Sequence, residues 1–289
     1  MACLQTPNLS LGRQLAQLSS SAASMCYTCS SCDLECPVDI ATGSLRPQKI
    51  VRKANLGFLE ELLNSPDIWY CLTCRHCTKV CPNVVSPSTL IEYLRRDALS
   101  KGIVSIDTFR QYQRLFTEFQ RIRWQAINIS FKETVDNFTD RMWNNWLQKP
   151  IIFPTPLIKL PRISQFTSDA KAILGSTRAS ACYTCGECSS ACPIVCDGFV
   201  FDPRLLFRMI NLGLIVELVR FPSIWLCISC GRCTESCSQL VDGRYIMEQI
   251  KELAIQRRIV DKDFHMRVQN ANQLIYRHFI HKIDFLFVK

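Results

Sequence analysis

Residues 26–37 read CYTCSSCDLECP, and residues 182–193 read CYTCGECSSACP. Around this pair, residues 26–104 align without a gap to residues 182–260, at a constant offset of 156 positions, and about a third of the aligned positions are identical. Self-similarity at a fixed spacing is the signature of a repeated structural unit. The chain of 289 residues is long enough for two domains of ordinary size. The sequence therefore predicts a tandem duplication.

Four cysteine runs share the spacing C-x2-C-x2-C-x3-C, two in each copy. The runs are Cys26/Cys29/Cys32/Cys36, Cys71/Cys74/Cys77/Cys81, Cys182/Cys185/Cys188/Cys192 and Cys227/Cys230/Cys233/Cys237. Three cysteines at three-residue intervals let a tight turn wrap one face of an iron–sulfur cube. The fourth cysteine lies too far along to close the same cluster and instead ligates the cluster of the neighbouring run. The spacing therefore predicts two interlocked [4Fe–4S] clusters per copy and four in the chain.

This exchange gives one ligand set for each cluster. The expected sets are Cys26, Cys29, Cys32 with Cys81; Cys71, Cys74, Cys77 with Cys36; Cys182, Cys185, Cys188 with Cys237; and Cys227, Cys230, Cys233 with Cys192. Zinc is an alternative, but it favours two separated C-x2-C pairs over a close triple. A disulfide scaffold is the other alternative for a chain with eighteen cysteines.

The cysteine content and the N-terminal sequence together indicate a reducing compartment. The first eighteen residues contain no apolar h-region and no small-residue cleavage site. Disulfides are rare where thiols are kept reduced, so a cytoplasmic location is expected, with the thiolates bound to metal. No apolar run is long enough to cross a bilayer, and membrane contact is expected only through partners, if at all.

The formal net charge of +9 does not by itself indicate nucleic acid. An oxidised cubane with four thiolates carries about −2, so four clusters contribute roughly −8. The basic excess is therefore interpreted mainly as charge balance. No basic stripe is interleaved with stacking aromatic side chains, and a nucleic-acid partner is not expected.

The stretches between cysteine runs have helical signals, so the fold class is expected to be mainly α. Pro47 and Pro203 suit a first helical turn, and Gly57 and Gly213 suit the left-handed residue after a helix. Asp202, Asp242 and Ser86 are placed to cap helices. Two tandem α-helical ferredoxin domains are predicted, at residues 1–148 and 165–289, joined by a proline-rich segment at 149–164.

Each copy resembles the C subunit of heterodisulfide reductase, a helical two-cluster ferredoxin. The resemblance rests on CYTCGECSSACP at 182–193, on the proline-to-glycine helix that follows, and on IWLCISCGRCTESC at 224–237. It implies an electron-transfer role between an A-like flavoprotein and a B-like subunit with CCG motifs. This chain departs from the simple C subunit in being doubled and in having Ser238 where the other three runs have proline.

Several motifs of substrate chemistry are missing, which favours a non-catalytic electron-transfer subunit. No two cysteines are adjacent, so the chain itself has no CCG motif, and no G-x-G-x-x-G marks flavin or nicotinamide binding. The alternatives are an iron–sulfur enzyme with its own substrate-binding cluster, near Cys196 and Ser238, and a cluster subunit that feeds a quinone-linked dehydrogenase.

A few other residues stand out. Cys196 has no equivalent in the first copy and is interpreted as a buried small residue, with a spare ligand as the alternative; Cys3 is assigned no role. His76 and Arg232 occupy equivalent positions inside the second run of each copy; a solvated side chain that points away is the first expectation, and the alternative is a cation that raises a cluster potential. The tryptophans Trp124, Trp143 and Trp146 are expected on helices that cap the first ferredoxin core, with a docking face or an interfacial membrane helix as alternatives.

Overall fold

The computed structural model describes residues 6–151, 162, 167–196 and 200–287, and these residues form helices joined by short loops. The helices up to residue 148 are α1 (Leu9–Leu18), α2 (Ser31–Leu34), α3 (Pro37–Thr42), α4 (Pro47–Asn55), α5 (Leu59–Asn64), α6 (Asp67–Tyr70), α7 (His76–Lys79), α8 (Pro87–Ser100), α9 (Ile106–Ser130) and α10 (Asp140–Gln148). The remaining helices are α11 (Ser168–Thr177), α12 (Glu187–Ala191), α13 (Pro203–Asn211), α14 (Ile215–Leu218), α15 (Arg232–Glu235), α16 (Gly243–Gln256) and α17 (Phe264–Phe287). Within the described ranges, short 3₁₀ helices also cover Ala23–Met25, Ala179–Ala181 and Pro222–Leu226. The predicted mainly α fold is confirmed.

The duplication is visible in the helix bounds. Helices α4 and α13, α7 and α15, and α8 and α16 begin and end at positions that differ by 156. Gly57 and Gly213 both have the predicted positive φ, at 76° and 74°. Asp202 and Asp242 cap their helices through side-chain oxygens, as expected. Ser86 precedes α8, but its hydroxyl makes no capping hydrogen bond, so that part of the expectation is wrong.

Residues group into two compact units by their contacts. One unit is Met1–Leu115 with Tyr276–Lys289, and the other is Phe116–Ile275. Their limits differ from the predicted domains at 1–148 and 165–289, because α9 and α17 each contribute residues to both units. Each unit contains one copy of the cysteine-bearing repeat. Most of the predicted segment at 149–164 lies outside the described residues, and its role as a linker stays a prediction.

In the first unit, a buried aromatic group lies beside the second cysteine run. Trp69 is 1% exposed and stacks on Phe287 of α17, with ring centroids 4.6 Å apart. Tyr112 of α9 meets the same indole edge-on at 5.3 Å and donates its hydroxyl hydrogen to the Trp69 carbonyl at 3.0 Å. The segment that leads to Cys71 therefore packs against both α9 and α17.

The tryptophans of the central segment pack in the second unit. Trp124 is 2% exposed, belongs to the core formed with the second copy, and donates from Nε1 to the Ser223 hydroxyl at 3.1 Å. Trp143 is buried and donates to Glu118 at 3.2 Å, and Trp146 is buried too. For Trp124 the expectation of a place against the first ferredoxin core is therefore wrong, because helical spacing indicates burial but not which core receives a side chain.

The two copies diverge after the fourth cysteine of their first run. Helix α3 follows Cys36, whereas the chain after Cys192 forms a turn and an isolated antiparallel bridge between Cys196 and Phe201. Among the described residues, no helix combines the length and the apolar character needed to span a bilayer.

Candidate iron–sulfur centres

The cysteine runs share an uncommon backbone shape. In every run, the second and fourth residues after the first cysteine have positive φ. These pairs are Thr28/Ser30, Thr73/Arg75, Thr184/Gly186 and Ser229/Gly231. Six of the eight are not glycine, and each non-glycine residue in this region costs about 1–2 kcal/mol. A strain repeated at all four runs indicates a loop shape fixed by what it binds.

This loop shape turns the backbone amides toward the sulfurs. The amide nitrogens of Thr28, Thr73 and Ser229 donate to the sulfurs of Cys26, Cys71 and Cys227, at 3.4, 3.3 and 3.4 Å. Hydrogen bonds of this kind favour the thiolate, and they are among the interactions that set the potential of a protein-bound cluster. A short helix of four or five residues, α2, α7, α12 or α15, then carries the third cysteine.

One cavity of the first copy is lined by three cysteines of one run and the last cysteine of the other. Cys26, Cys29 and Cys32 face it together with Cys81. Contacts between α2 and α7 hold the two runs against each other. The grouping coincides with the first predicted ligand set, and the assignment of these sulfurs as ligands stays a prediction.

Cys36 lies instead with the second run of its copy. Burial raises the pKa of Cys36 to about 12, and the charges of Cys71 and Cys74 add to the effect. Burial also raises the pKa of Cys77, followed by the charges of Cys71, Cys74 and Cys36. Four buried thiolates so close together repel one another unless positive iron lies among them, and ligand thiols give up their protons to the metal.

The second copy has the corresponding cavity around its second run, lined by Cys227, Cys230, Cys233 and, from the first run, Cys192. Burial raises the pKa of Cys233 to about 12, and the charges of Cys227 and Cys230 reinforce the shift. Gly243 leaves room at this wall, because an added Cβ there would lie 2.8 Å from the Cys233 sulfur.

The remaining set is Cys182, Cys185, Cys188 and Cys237. Burial is the main cause of the raised pKa of Cys188, and the charge of Cys182 contributes. Tyr183 follows Cys182 and Ser238 follows Cys237, and the hydroxyls of Tyr183 and Ser238 are 3.2 Å apart. These neighbours hold the two runs of the second copy together, and the assignment of Cys237 to this set stays a prediction.

A basic residue behind each second run was missed by the sequence-based prediction. Arg95 donates to the carbonyl of Cys71 at 2.6 Å, and Lys251 donates to the carbonyl of Cys227 at 2.8 Å. The two positions differ by 156, so a search for basic residues retained in both copies would have found them.

The other residues that stand out in the sequence are less informative. Cys196 is 7% exposed and its thiol lies 3.6 Å from the Thr117 carbonyl, as a buried small residue would. His76 and Arg232 are half-buried at the starts of α7 and α15. Cys3 lies outside the described residues.

Across residues 6–151, 162, 167–196 and 200–287, no three His, Cys, Asp or Glu side chains converge as ligands of a single metal ion would. The cysteines of a [4Fe–4S] cube are arranged differently, because each binds a separate iron. The crowded buried thiols, the amide–sulfur hydrogen bonds and the repeated loop shape fit such a cube.

Comparison with protein families decides the nature of both copies. Residues 22–85 match a family model described as a 4Fe-4S dicluster domain, and residues 181–241 match another with the same description. The chain carries two 4Fe–4S dicluster domains. Each such domain binds two clusters, so the predicted four [4Fe–4S] clusters are confirmed.

Curated relatives place this tandem dicluster protein beside heterodisulfide reductases. It is 41% identical over 81 residues to an iron–sulfur C subunit of the CoB–CoM heterodisulfide reductase of Methanocaldococcus jannaschii, covering 28% of this chain and 42% of that protein. It is 32% identical over 80 residues to the C subunit of the H2:CoB–CoM heterodisulfide, ferredoxin reductase of Methanothermobacter marburgensis, covering 28% and 43%. The matches therefore span less than half of either relative. The predicted resemblance to these C subunits is confirmed, and both comparisons support an iron–sulfur subunit for electron transfer.

Proposed function

We propose that this chain is a non-catalytic relay subunit of a heterodisulfide-reductase-type complex, which passes single electrons through its four clusters. The observation that supports the proposal is the lining of two cavities, each by three cysteines of one run and one of the other: Cys81 lines the cavity of the first run, and Cys192 lines the cavity of the fourth. Interlocked ligands bring the two clusters of a copy close together, as electron transfer between them requires.

The proposed ligands are the sixteen run cysteines in the four exchanged sets. The first copy uses Cys26, Cys29, Cys32 with Cys81 and Cys71, Cys74, Cys77 with Cys36; the second uses Cys182, Cys185, Cys188 with Cys237 and Cys227, Cys230, Cys233 with Cys192. When bound, each cluster supplies a site that one electron can enter and leave. The protein's own residues hold that site, shield it and set its potential.

Pairs of alanine substitutions test the exchange. If Cys36 and Cys71 serve the same cluster, the double variant C36A/C71A should lose about four irons, no more than either single variant, because both changes remove one cluster. C26A/C36A should lose about eight. The matched control C196A should keep the full iron content. A loss of about four irons from C26A/C36A would assign both cysteines to one cluster and contradict the exchange.

The proposed partners are an A-like flavoprotein, as electron donor, and a B-like subunit with CCG motifs. The names of the relatives support this, because they are C subunits of heterodisulfide reductases. We also propose a cytoplasmic setting, in keeping with many reduced cysteines. Anaerobic purification of the tagged chain from its native host should recover both kinds of partner. Recovery with a quinone-linked dehydrogenase instead would overturn the choice of complex.

Activity of the isolated chain separates a relay from an enzyme. The loaded chain alone should accept electrons from a chemical reductant but should not turn over a disulfide or a quinone above background. Sustained turnover without any partner would favour the alternative of a substrate-binding cluster.

A further inference from the structure

A fixed positive charge lies directly behind the second cysteine run of the first copy. Arg95 of α8 donates from Nε to the Ile68 carbonyl at 2.7 Å and from Nη2 to the Cys71 carbonyl at 2.6 Å. Its guanidinium lies over the rings of Trp69 and Tyr112, 5.4 and 5.6 Å from their centroids. Two hydrogen bonds and two aromatic faces hold the charge in one place.

The second copy places a different cation at the same point. Lys251 of α16 aligns with Arg95, and its ammonium donates to the Cys227 carbonyl at 2.8 Å. The chemical detail differs, since lysine makes this one carbonyl bond where arginine makes two. The position of the charge relative to the first cysteine of the run is the same.

The first run of each copy has a carboxylate instead. Asp33 lies 3.7 Å from the Cys32 sulfur and accepts a hydrogen bond from the Gln48 amide at 2.8 Å, at the start of α4.

In the second copy the carboxylate comes from another sequence position. Asp202 accepts from the Arg204 amide at 2.9 Å, at the start of α13, and also from the Ser189 hydroxyl. Arg204 aligns with Gln48, yet Asp33 aligns with Ser189. A carboxylate therefore caps both equivalent helices, α4 and α13, but it comes from a different sequence position in each copy. Ser189 directly follows Cys188, so its hydrogen bond places the carboxylate beside the first run, where the Arg204 guanidinium pairs with it at 3.4 Å.

We propose that the cation behind the second run raises the potential of the second-run cluster in both copies, and that Asp33 lowers the potential of the first-run cluster in the first copy. Arg95 and Lys251 act through the cysteine runs they contact, and each places its positive charge behind the second run of its copy. The inference rests on the proposed relay function. Reduction adds one negative charge to a cluster, so a nearby cation stabilises the reduced form and a nearby anion destabilises it. In each copy the electron therefore favours the second-run cluster.

Redox titration of the loaded full-length chain, followed by electron paramagnetic resonance, tests the proposal. R95Q should lower one of the four midpoints by about 59 mV, which is a tenfold drop in the equilibrium constant of a one-electron reduction. R95K should leave the midpoint near its original value, because it restores the charge. D33N should raise a different midpoint. The control K101Q removes an exposed cation at the end of the same helix and should move none.

Equal midpoints in R95Q, K251Q and the unchanged chain would overturn the proposal, as would a shift in R95K as large as that in R95Q. If R95Q loses a cluster, the midpoints of K251Q test the proposal instead. K251Q removes one carbonyl hydrogen bond rather than two and so disturbs the run less. Iron and sulfide are measured on every variant. If the variants keep all their clusters and their midpoints do not change, only the proposed charge effect on the potentials is rejected. If the unmodified chain lacks clusters, the proposed relay function is rejected as well.

Discussion

At the residue scale, the strained positions of the cysteine runs distinguish the two copies. Ser30 and Arg75 have φ of 64° and 66° where the second copy has Gly186 and Gly231. Glycine adopts this conformation without a clash between Cβ and the following carbonyl. The first copy therefore carries strain that the second avoids, although both build the same loop.

The substitution R75G should stabilise the loaded protein by about 1 kcal/mol, because it relieves left-handed strain at an exposed position. The matched control is R96G, also exposed but inside α8, which should destabilise it by about 1 kcal/mol through lost helix propensity. Thermal unfolding of the two loaded variants gives the comparison. A lower midpoint for R75G would show that the Arg75 side chain contributes more than its backbone costs.

At the element scale, glycine allows one close helix contact. Helix α1 crosses α4 at Gly12, where an added Cβ would lie 2.2 Å from the Asn55 carbonyl oxygen. G12A should therefore force the helices apart and cost about 1–3 kcal/mol. G175A is the control, because nothing lies within 4 Å of a Cβ at that position in α11. There alanine should increase the free energy of unfolding by as much as about 1 kcal/mol. Urea unfolding measures both; a neutral G12A would refute the contact.

Helices α8 and α16 begin at equivalent positions with different caps. Asp242 accepts from the Tyr245 amide at 3.1 Å and from the Thr234 hydroxyl at 3.1 Å, whereas Ser86 makes no capping bond. D242A should lower the free energy of unfolding by about 1 kcal/mol. S86A should change it by less than about 0.5 kcal/mol. Equal losses in the two variants would contradict the assigned caps.

The sequence predicted what local signals determine. Proline and glycine marked the ends of α4 and α13 because each residue has a backbone restriction of its own. Helix α1 went unpredicted, since its contact depends on a close backbone approach at Gly12 that has no periodic signature. The exchange of Asp33 for Asp202 was missed as well, because alignment by position cannot show that two different residues cap one equivalent helix end.

At the scale of the whole molecule, duplication explains why the clusters could be predicted and the core that receives Trp124 could not. Cysteine spacing is dictated by the geometry of a cluster, so it identifies the cofactor from a few residues. The apolar face of an amphipathic helix such as α9 can pack against any apolar surface. The sequence pattern shows that the face is buried but not which core it joins. Trp124 accordingly packs in the core of the second unit although it follows the first copy along the chain.

The composition of the metal centre tests the central claim most directly. Anaerobically purified full-length chain should contain about sixteen irons and as many acid-labile sulfides, four of each per cluster. It should also have the brown colour of cubanes, which bleaches on reduction. A folded chain that binds zinc and no sulfide would contradict the account.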